Sequence, residues 1–414
     1  MQDPTFGVFG IVAALAALLV ASPQPRAETP THTEPAHAEG LPRLDLFDGR
    51  FTLLPTARLD LDAGSFAGQD VRPGFQSNVN IRRGRIGLEA TLLRDIDIVF
   101  QWEFAPAAPG DQPLGGRLYE LQMAYRGIEG TTLRAGAFTP LHTLDFSSSS
   151  FTLPFLERAS ISELAASIAS GTSRIAAGAE LRGETWFASA YATEGVAGTP
   201  NDDAQRGVAG RAALQPFDGI LRAQIGINGA MQFHPGTRSD ESVRLRDYPE
   251  LRISPNRFLD TKSIPAGQAW AVGPELSGMV GPLHYAAEYQ AIGVEADSGP
   301  ARRFSGWYAA ASWPLVGAPR RWDALRGSWA KPETARLDPA AGEWGWLELA
   351  GRYSRADLND GPTRGGAQSI WTAALNWYPA EQVRVSMQVE VGQITGNGPD
   401  RPFQAVGWRL SVAP

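Results

Sequence analysis

Residues 79 to 104, VNIRRGRIGLEATLLRDIDIVFQWEF, hold two stretches of strict alternation hinged on Arg94-Asp95. A period of two is the side-chain period of a β-strand. In the first stretch Ile86, Leu88, Ala90 and Leu92 take one face while Arg83, Arg85, Glu89 and Thr91 take the other. In the second, Ile98, Phe100, Trp102 and Phe104 oppose Asp97, Gln101 and Glu103. An unbroken apolar face backed by a charged one is the pattern of a strand with lipid on one side and water on the other.

The same punctuation runs through the chain. Strands are predicted near 51–63, 79–93, 96–106, 117–126, 131–138, 172–182, 184–193, 206–216, 220–231, 269–280, 283–295, 302–312, 345–357, 366–379, 382–394 and 403–412. Short connections at Arg94-Asp95, Gly127 to Gly130, Gly183, Pro216 to Gly219, Gly281-Pro282 and Ala380-Glu381 fall at every second join, which puts tight turns on one side and longer loops on the other. Residues 243–253 alternate too, but counting them as a strand would break that parity, so they are assigned to a loop. The expected fold is all-β: a transmembrane antiparallel β-barrel of about 16 strands. Three connections, 139–171, 232–268 and 313–344, exceed ordinary loop length, and the lumen of a wide barrel is where their polar backbone can be hydrated or paired. Trp186, Trp307, Trp371, Trp377, Tyr353, Tyr378 and Trp408 lie near strand ends and are expected in interfacial girdles.

The longest apolar run, Phe9 to Ala21, is too short for a spanning helix and fits a signal-peptide core, so residues 1–27 read as a signal peptide, with Ala36-His37-Ala38 offering a cleavage pattern as late as 38. Residues 28–49 read as a flexible leader and 50–414 as the barrel. The chain has no cysteine, which removes disulfides and thiol chemistry, and its formal charge of −7 without a basic tract argues against a nucleic-acid partner. No catalytic or metal-binding constellation emerges. His284 and Glu288 share a strand face, yet four residues along a strand separate them by roughly 13 Å, too far for one metal ion. No cofactor is called for.

Arg82 to Leu93, Leu118 to Thr139, Phe155-Leu156-Glu157-Arg158, Arg320 to Asp323, Trp344 to Asp360 and Trp371 to Pro379 together resemble the phosphate-selective porin O and P family of outer-membrane channels. The resemblance implies a sixteen-stranded barrel in the bacterial outer membrane, commonly trimeric, with the third and fifth external loops and a long periplasmic turn folded into the pore. It also implies passive diffusion of small solutes, with anions such as phosphate favoured. Phosphate-specific members carry lysines in the throat, whereas Lys262 and Lys331 are this chain's only lysines. A non-specific or cation-preferring pore, a plugged barrel with a structural role, and a soluble carbohydrate-binding or hydrolytic β protein are the alternatives.

A pore selects by the charge of its narrow ring, so the inward face holds the candidates. The alternation turns Arg83, Arg85, Arg134, Arg174, Arg211, Arg222, Arg352, Arg384 and Arg409 inward, together with Asp97, Glu103, Glu120, Glu180, Glu275, Glu288, Glu348 and Glu390. Guanidinium forks suit oxyanions, but a nearly equal number of carboxylates favours cross-strand pairs that brace the wall instead. Arg158 and the 139–171 loop, with His142, Asp145, Ser147, Ser148, Ser149 and Ser150, are the candidates for a constriction.

Overall fold

The computed structural model describes residues 43–67, 75, 77–106, 116–199, 204–217, 219–236, 241–396 and 398–413; the expected signal peptide, most of the leader and Arg238 lie outside them. Sixteen long strands run in chain order: β1 Phe51–Ala67, β2 Asn78–Leu92, β3 Ile96–Glu103, β4 Arg117–Ile128, β5 Thr131–Phe138, β6 Arg174–Arg182, β7 Trp186–Val196, β8 Arg206–Phe217, β9 Leu221–His234, β10 Ile264–Val280, β11 Leu283–Ala296, β12 Arg302–Val316, β13 Trp346–Asp360, β14 Thr363–Ala380, β15 Val383–Thr395 and β16 Arg401–Val412. Each pairs antiparallel with the next, and β1 pairs with β16 in the register Leu59↔Val412 to Ala67↔Gln404, so the sheet closes without an edge. Among the described residues no helix is long and apolar enough to cross a membrane. The crossing belongs to the strands.

Every predicted strand is present, with ends shifted by a few residues. Residues 243–253 lie in the fifth loop, where Ser242–Val243 pairs with the start of β10 and Arg246–Asp247 pairs with Leu259–Asp260. Two expectations need correcting. The segment read as leader contains a short strand, Leu44–Leu46, folded back on Phe51 to Leu53 through a turn in which Phe47, Asp48 and Gly49 adopt positive φ. The loop side is less uniform than the turn side suggested, because Gly361-Pro362 alone joins β13 to β14.

Outward positions carry exposed Ile86, Leu88, Phe100, Leu121, Leu276, Leu349, Trp371 and Leu410, the face that lipid covers. Tyr378 departs from the expected girdle. It is fully buried on the inner face, its hydroxyl donating to the carbonyl of Phe151, because β14 places it in phase with Asn376 rather than with Trp377.

Inside the barrel sits a second core. The third loop carries α1, Leu144–Ser147, and α2, Ser160–Ala169. Ile161, Leu164, Ala165 and Ile168 share one helical face and pack with Ala209, Ala230, Ala269, Ile292, Phe304 and Tyr308 of β8 to β12. The fifth loop adds Leu251 and Ile253, which meet Leu156, Ile370, Ile394 and Phe403. Loop-borne apolar side chains therefore pack into the lumen beside β8 to β16, among buried polar groups such as Glu275, Gln290 and Asn376.

Candidate functional site

The loops are held in place by charge as well as by apolar contact. The first N–H groups of a helix lack intrahelical acceptors and carry partial positive charge, so carboxylates stabilise them. Glu288 of β11 accepts from the backbone N–H of Leu144 and of Asp145 at the start of α1, and also from the hydroxyls of Ser162 and Tyr308. Glu250 of the fifth loop accepts from Ser160 N at the start of α2 and pairs with Arg352 of β13 at 2.5 Å. The turn between β12 and β13 reaches up from below: Ser328 Oγ donates to the carbonyl of Ser147, and Arg320 donates to that of Thr152 while pairing with Glu348 at 2.7 Å.

Glu157 is the centre of this scaffold. Its carboxylate lies 2.7 Å from Arg82 and 2.7 Å from Arg409, with Arg252 at 3.6 Å and Arg83 at 3.8 Å. Burial alone would raise its carboxyl, but Arg82, Arg409, Arg83 and Arg252 hold it well below the usual carboxylate range. Within the fifth loop, burial pushes the Asp247 carboxyl up to about 7 despite Arg252 beside it.

The wall formed by β1 to β5 is different, since no apolar helix covers it. Its ion pairs share one orientation. Side-chain exposures are 12% for Arg58 against 0% for its partner Asp60, 17% for Arg82 against 3% for Glu157, 10% for Arg85 against 1% for Glu103, and 23% for Arg134 against 4% for Glu180. In each pair the carboxylate is the more buried member: Asp60 and Glu103 stand on this wall and Glu180 on the adjoining β6, whereas Glu157 comes from the third loop folded against it. Four of the arginines on this side also rest near aromatic rings: Arg85 lies 3.4 Å from the Tyr119 centroid, Arg158 4.2 Å from Phe146, Arg134 5.5 Å from Phe138 and Arg58 5.7 Å from Phe151. The rings fix each guanidinium and leave a face or edge open.

The residues singled out in the sequence divide accordingly. Arg85, Arg134 and Arg158 are half-buried on the water side. Arg83, Arg174, Arg211, Arg352 and Arg384 are at most 5% exposed, and Arg409 is 1% exposed. They brace protein rather than line water. Arg211 pairs with Glu275 at 2.7 Å and donates to the carbonyls of Arg326 and Gly327; Arg174 donates to those of Ser170 and Glu194; Arg384 donates to that of Phe151. The physical reason is that inward means water-facing only where no loop intervenes. Arg222 is exposed at the turn end of β9, apart from this wall.

The third-loop candidates build the loop itself. Ser147 Oγ donates to the carbonyl of Thr143, Ser149 Oγ accepts from Phe151 N, Ser150 Oγ accepts from Arg58 at 2.8 Å, and the carbonyl of Ser148 accepts from Arg158. Asp145 accepts from Ala159 N, with burial raising its carboxyl. His142 is fully buried with Nδ1 3.1 Å from Ser170 Oγ, and burial, aided by Arg211, lowers it to about 3.

Two residues of this wall were missed. Arg58 follows from Arg58-Leu59-Asp60-Leu61-Asp62, an alternation whose inward members are all charged. Arg82 lies at a β-bulge: Asp60 pairs with Arg83 and Leu61 with Ile81, so both adjacent arginines turn inward. The sequence carries the signal, because outward apolar residues are odd-numbered at Val79 and Ile81 and even-numbered from Ile86.

A closed sixteen-stranded barrel with a lipid-facing exterior, loops folded inside and a charged inner wall defines a porin of the bacterial outer membrane. The chain belongs to the phosphate-selective porin O and P family, whose model matches residues 56–411. It is 25% identical to Porin O of Pseudomonas aeruginosa over 398 residues, covering 85% of this chain and 86% of that one. It is 28% identical to an uncharacterized protein of Caulobacter vibrioides over 207 residues, 50% of this chain and 41% of the other. Among solved structures it is similar to OmpT of Vibrio cholerae, with TM-score 0.56 and 11% identity over 89% of this chain and 99% of that one. It is also similar to the anion-selective porin from Comamonas acidovorans, with TM-score 0.55 and 12% identity over 88% and 100%. At those identities the likeness is one of fold.

Proposed function

We propose that this chain forms a passive diffusion channel that prefers small anions, with phosphate among the candidate cargoes. The observation that carries the reading is that, in the ion pairs along the β1 to β5 wall and its neighbours, the arginine is the more exposed member: Arg58 over Asp60, Arg85 over Glu103, Arg134 over Glu180 of β6 and Arg82 over Glu157 of the third loop. Equal numbers of opposite charges do not cancel at the point where an ion passes if one sign is consistently nearer to it. In a water-filled passage with low-dielectric walls, the nearer charge dominates the local potential. Glu89, Asp97 and Glu120, each half-buried on this wall, are the opposing groups, and Asp97 is paired with Arg126, the more exposed partner. The anion-selective porin of Comamonas acidovorans, similar in fold, supports this reading. A homotrimer, read from the family alone, completes the proposal.

Purified protein reconstituted into a planar bilayer tests it. Under a KCl gradient the reversal potential should take the sign of chloride permeation. A cation-signed potential would overturn the reading in favour of the inward carboxylates, and an absence of conductance would favour the plugged barrel. Light scattering in detergent reads the oligomer.

A further inference from the structure

Selectivity among anions depends on how the guanidinium donors are used. Arg58 places Nε and Nη2 on the two oxygens of Asp60, at 3.2 and 2.9 Å, and gives Nη1 to Ser150. Arg82 places Nε and Nη2 on the two oxygens of Glu157, at 2.7 and 2.9 Å. Arg134 does the same with Glu180, at 2.9 and 3.2 Å, and gives Nη1 to Gln122. Arg158 spends Nε and Nη2 on the carbonyls of Asp145 and Ser148. Arg85 alone among these five holds its carboxylate by a single bond, Nε to Glu103 at 2.7 Å. Both lysines are committed elsewhere, Lys262 to Asp260 and Lys331 to Glu381.

A guanidinium captures an oxyanion strongly by presenting two parallel N–H groups to two oxygens. Three of the five forks are already filled in that manner by internal carboxylates, and a fourth by backbone carbonyls. Their positive charge still acts on a passing ion through space. The side-on Nε–Nη2 edge of each is occupied, so only the donors left over, which are fewer and not held as that parallel pair, could replace part of its hydration shell. Orthophosphate, with a tightly held shell and up to two charges near neutral pH, needs several converging donors before it can shed water. A halide or a small monocarboxylate needs far fewer.

We infer that this channel favours weakly hydrated monovalent anions, halides and small monocarboxylates, and holds no tight orthophosphate site on the β1 to β5 wall. The inference rests on the anion-preferring reading above and narrows it. The attraction is set by field rather than by coordination, so passage is fast and unsaturated.

Single channels in a planar bilayer decide it, with chloride carrying the current and inorganic phosphate added at micromolar to millimolar concentration. The expected result is an anion-signed reversal potential with chloride conductance changed by less than about twofold by millimolar phosphate. Acetate should replace chloride as charge carrier with higher conductance than phosphate. An anion-signed channel that micromolar phosphate blocks would overturn this inference and leave the reading beneath it standing. A cation-signed channel would overturn both. Glu180→Gln, which releases the fork of Arg134, supplies a second arm: a folded variant should gain phosphate block, and its failure to do so would refute filled forks as the cause.

Discussion

Arg409 of β16 and Glu157 of the third loop meet at 2.7 Å with both side chains almost wholly buried, while the same guanidinium binds both oxygens of Asp62 on β1 at 2.6 and 2.7 Å. One arginine thus spans the closing seam of the barrel and fastens the loop that fills it. Removing one partner of a buried pair leaves the other charge unmatched, at a cost of about 3–5 kcal/mol. Glu157→Gln should lower the temperature at which the barrel unfolds, read as the shift in its heat-modifiable band on a semi-native gel. It should also expose the third loop to protease before the strands are lost. An unchanged unfolding temperature would mean that Arg82, Arg83, Arg252 and Arg409 find other acceptors at no cost.

Inward glycines act as sockets for the plug. A Cβ at Gly407 would lie 2.5 Å from Leu251 Cδ1 and 3.0 Å from Leu156 Cδ1, and one at Gly64 would lie 2.5 Å from Ile253 Cδ1. Forcing a side chain into such a contact costs about 1–3 kcal/mol, and here a loop can yield more readily than a strand. Gly407→Leu should displace the fifth loop and raise single-channel conductance or noise while the barrel stays folded. Gly351→Ala, on the lipid face with its nearest neighbour at 3.8 Å, is the matched control and should change neither.

Acid should loosen the third loop through His142. Burial, with Arg211 adding to it, brings the imidazole down to about 3, from an ordinary value near 6.5. The unfolded loop takes up a proton below about pH 6.5 while the seated loop does not, so stability falls steadily as pH drops from there toward 3. Asp247 works in the opposite sense. Its carboxyl, raised to about 7, favours the seated fifth loop at low pH and costs stability as pH rises from about 4 to 7. Protease protection of each loop across this range checks both signs. His142→Asn should flatten the acid limb for the third loop, and Asp247→Asn should flatten the loss between about pH 4 and 7 for the fifth.

The barrel was legible in the sequence because its determinant is local. Alternation such as Arg58-Leu59-Asp60-Leu61 is decided residue by residue, and the tight turns fix the parity. The pore was only partly legible because its determinant is not local. Arg352 and Arg85 have equivalent sequence patterns, but the fifth loop brings Glu250 onto Arg352 while no helix covers Arg85. Helix α2 did leave a trace in the spacing of Ile161, Leu164, Ala165 and Ile168, a helical period within a segment otherwise read as polar loop. Its position inside the barrel depends on Glu250 and Glu288, more than 80 residues away, and no local pattern reports that.

Arg85 is the most direct handle on charge selectivity. It is partly open to water, it lies over Tyr119, and Glu103 takes only its Nε. Arg85→Glu would place a carboxylate beside Glu103 and reverse the local field, so the reversal potential under a KCl gradient should move toward the cation side. Arg85→Ala should move it less, and Arg222→Ala, remote from this wall, should leave it unchanged. The effect must also depend on salt. Screening shortens the reach of these charges from about 10 Å at 0.1 M to about 3 Å at 1 M, so an anion preference set by field should weaken markedly over that range. A preference that survived molar salt, or that Arg85→Glu failed to move, would place the selecting ring elsewhere in the lumen.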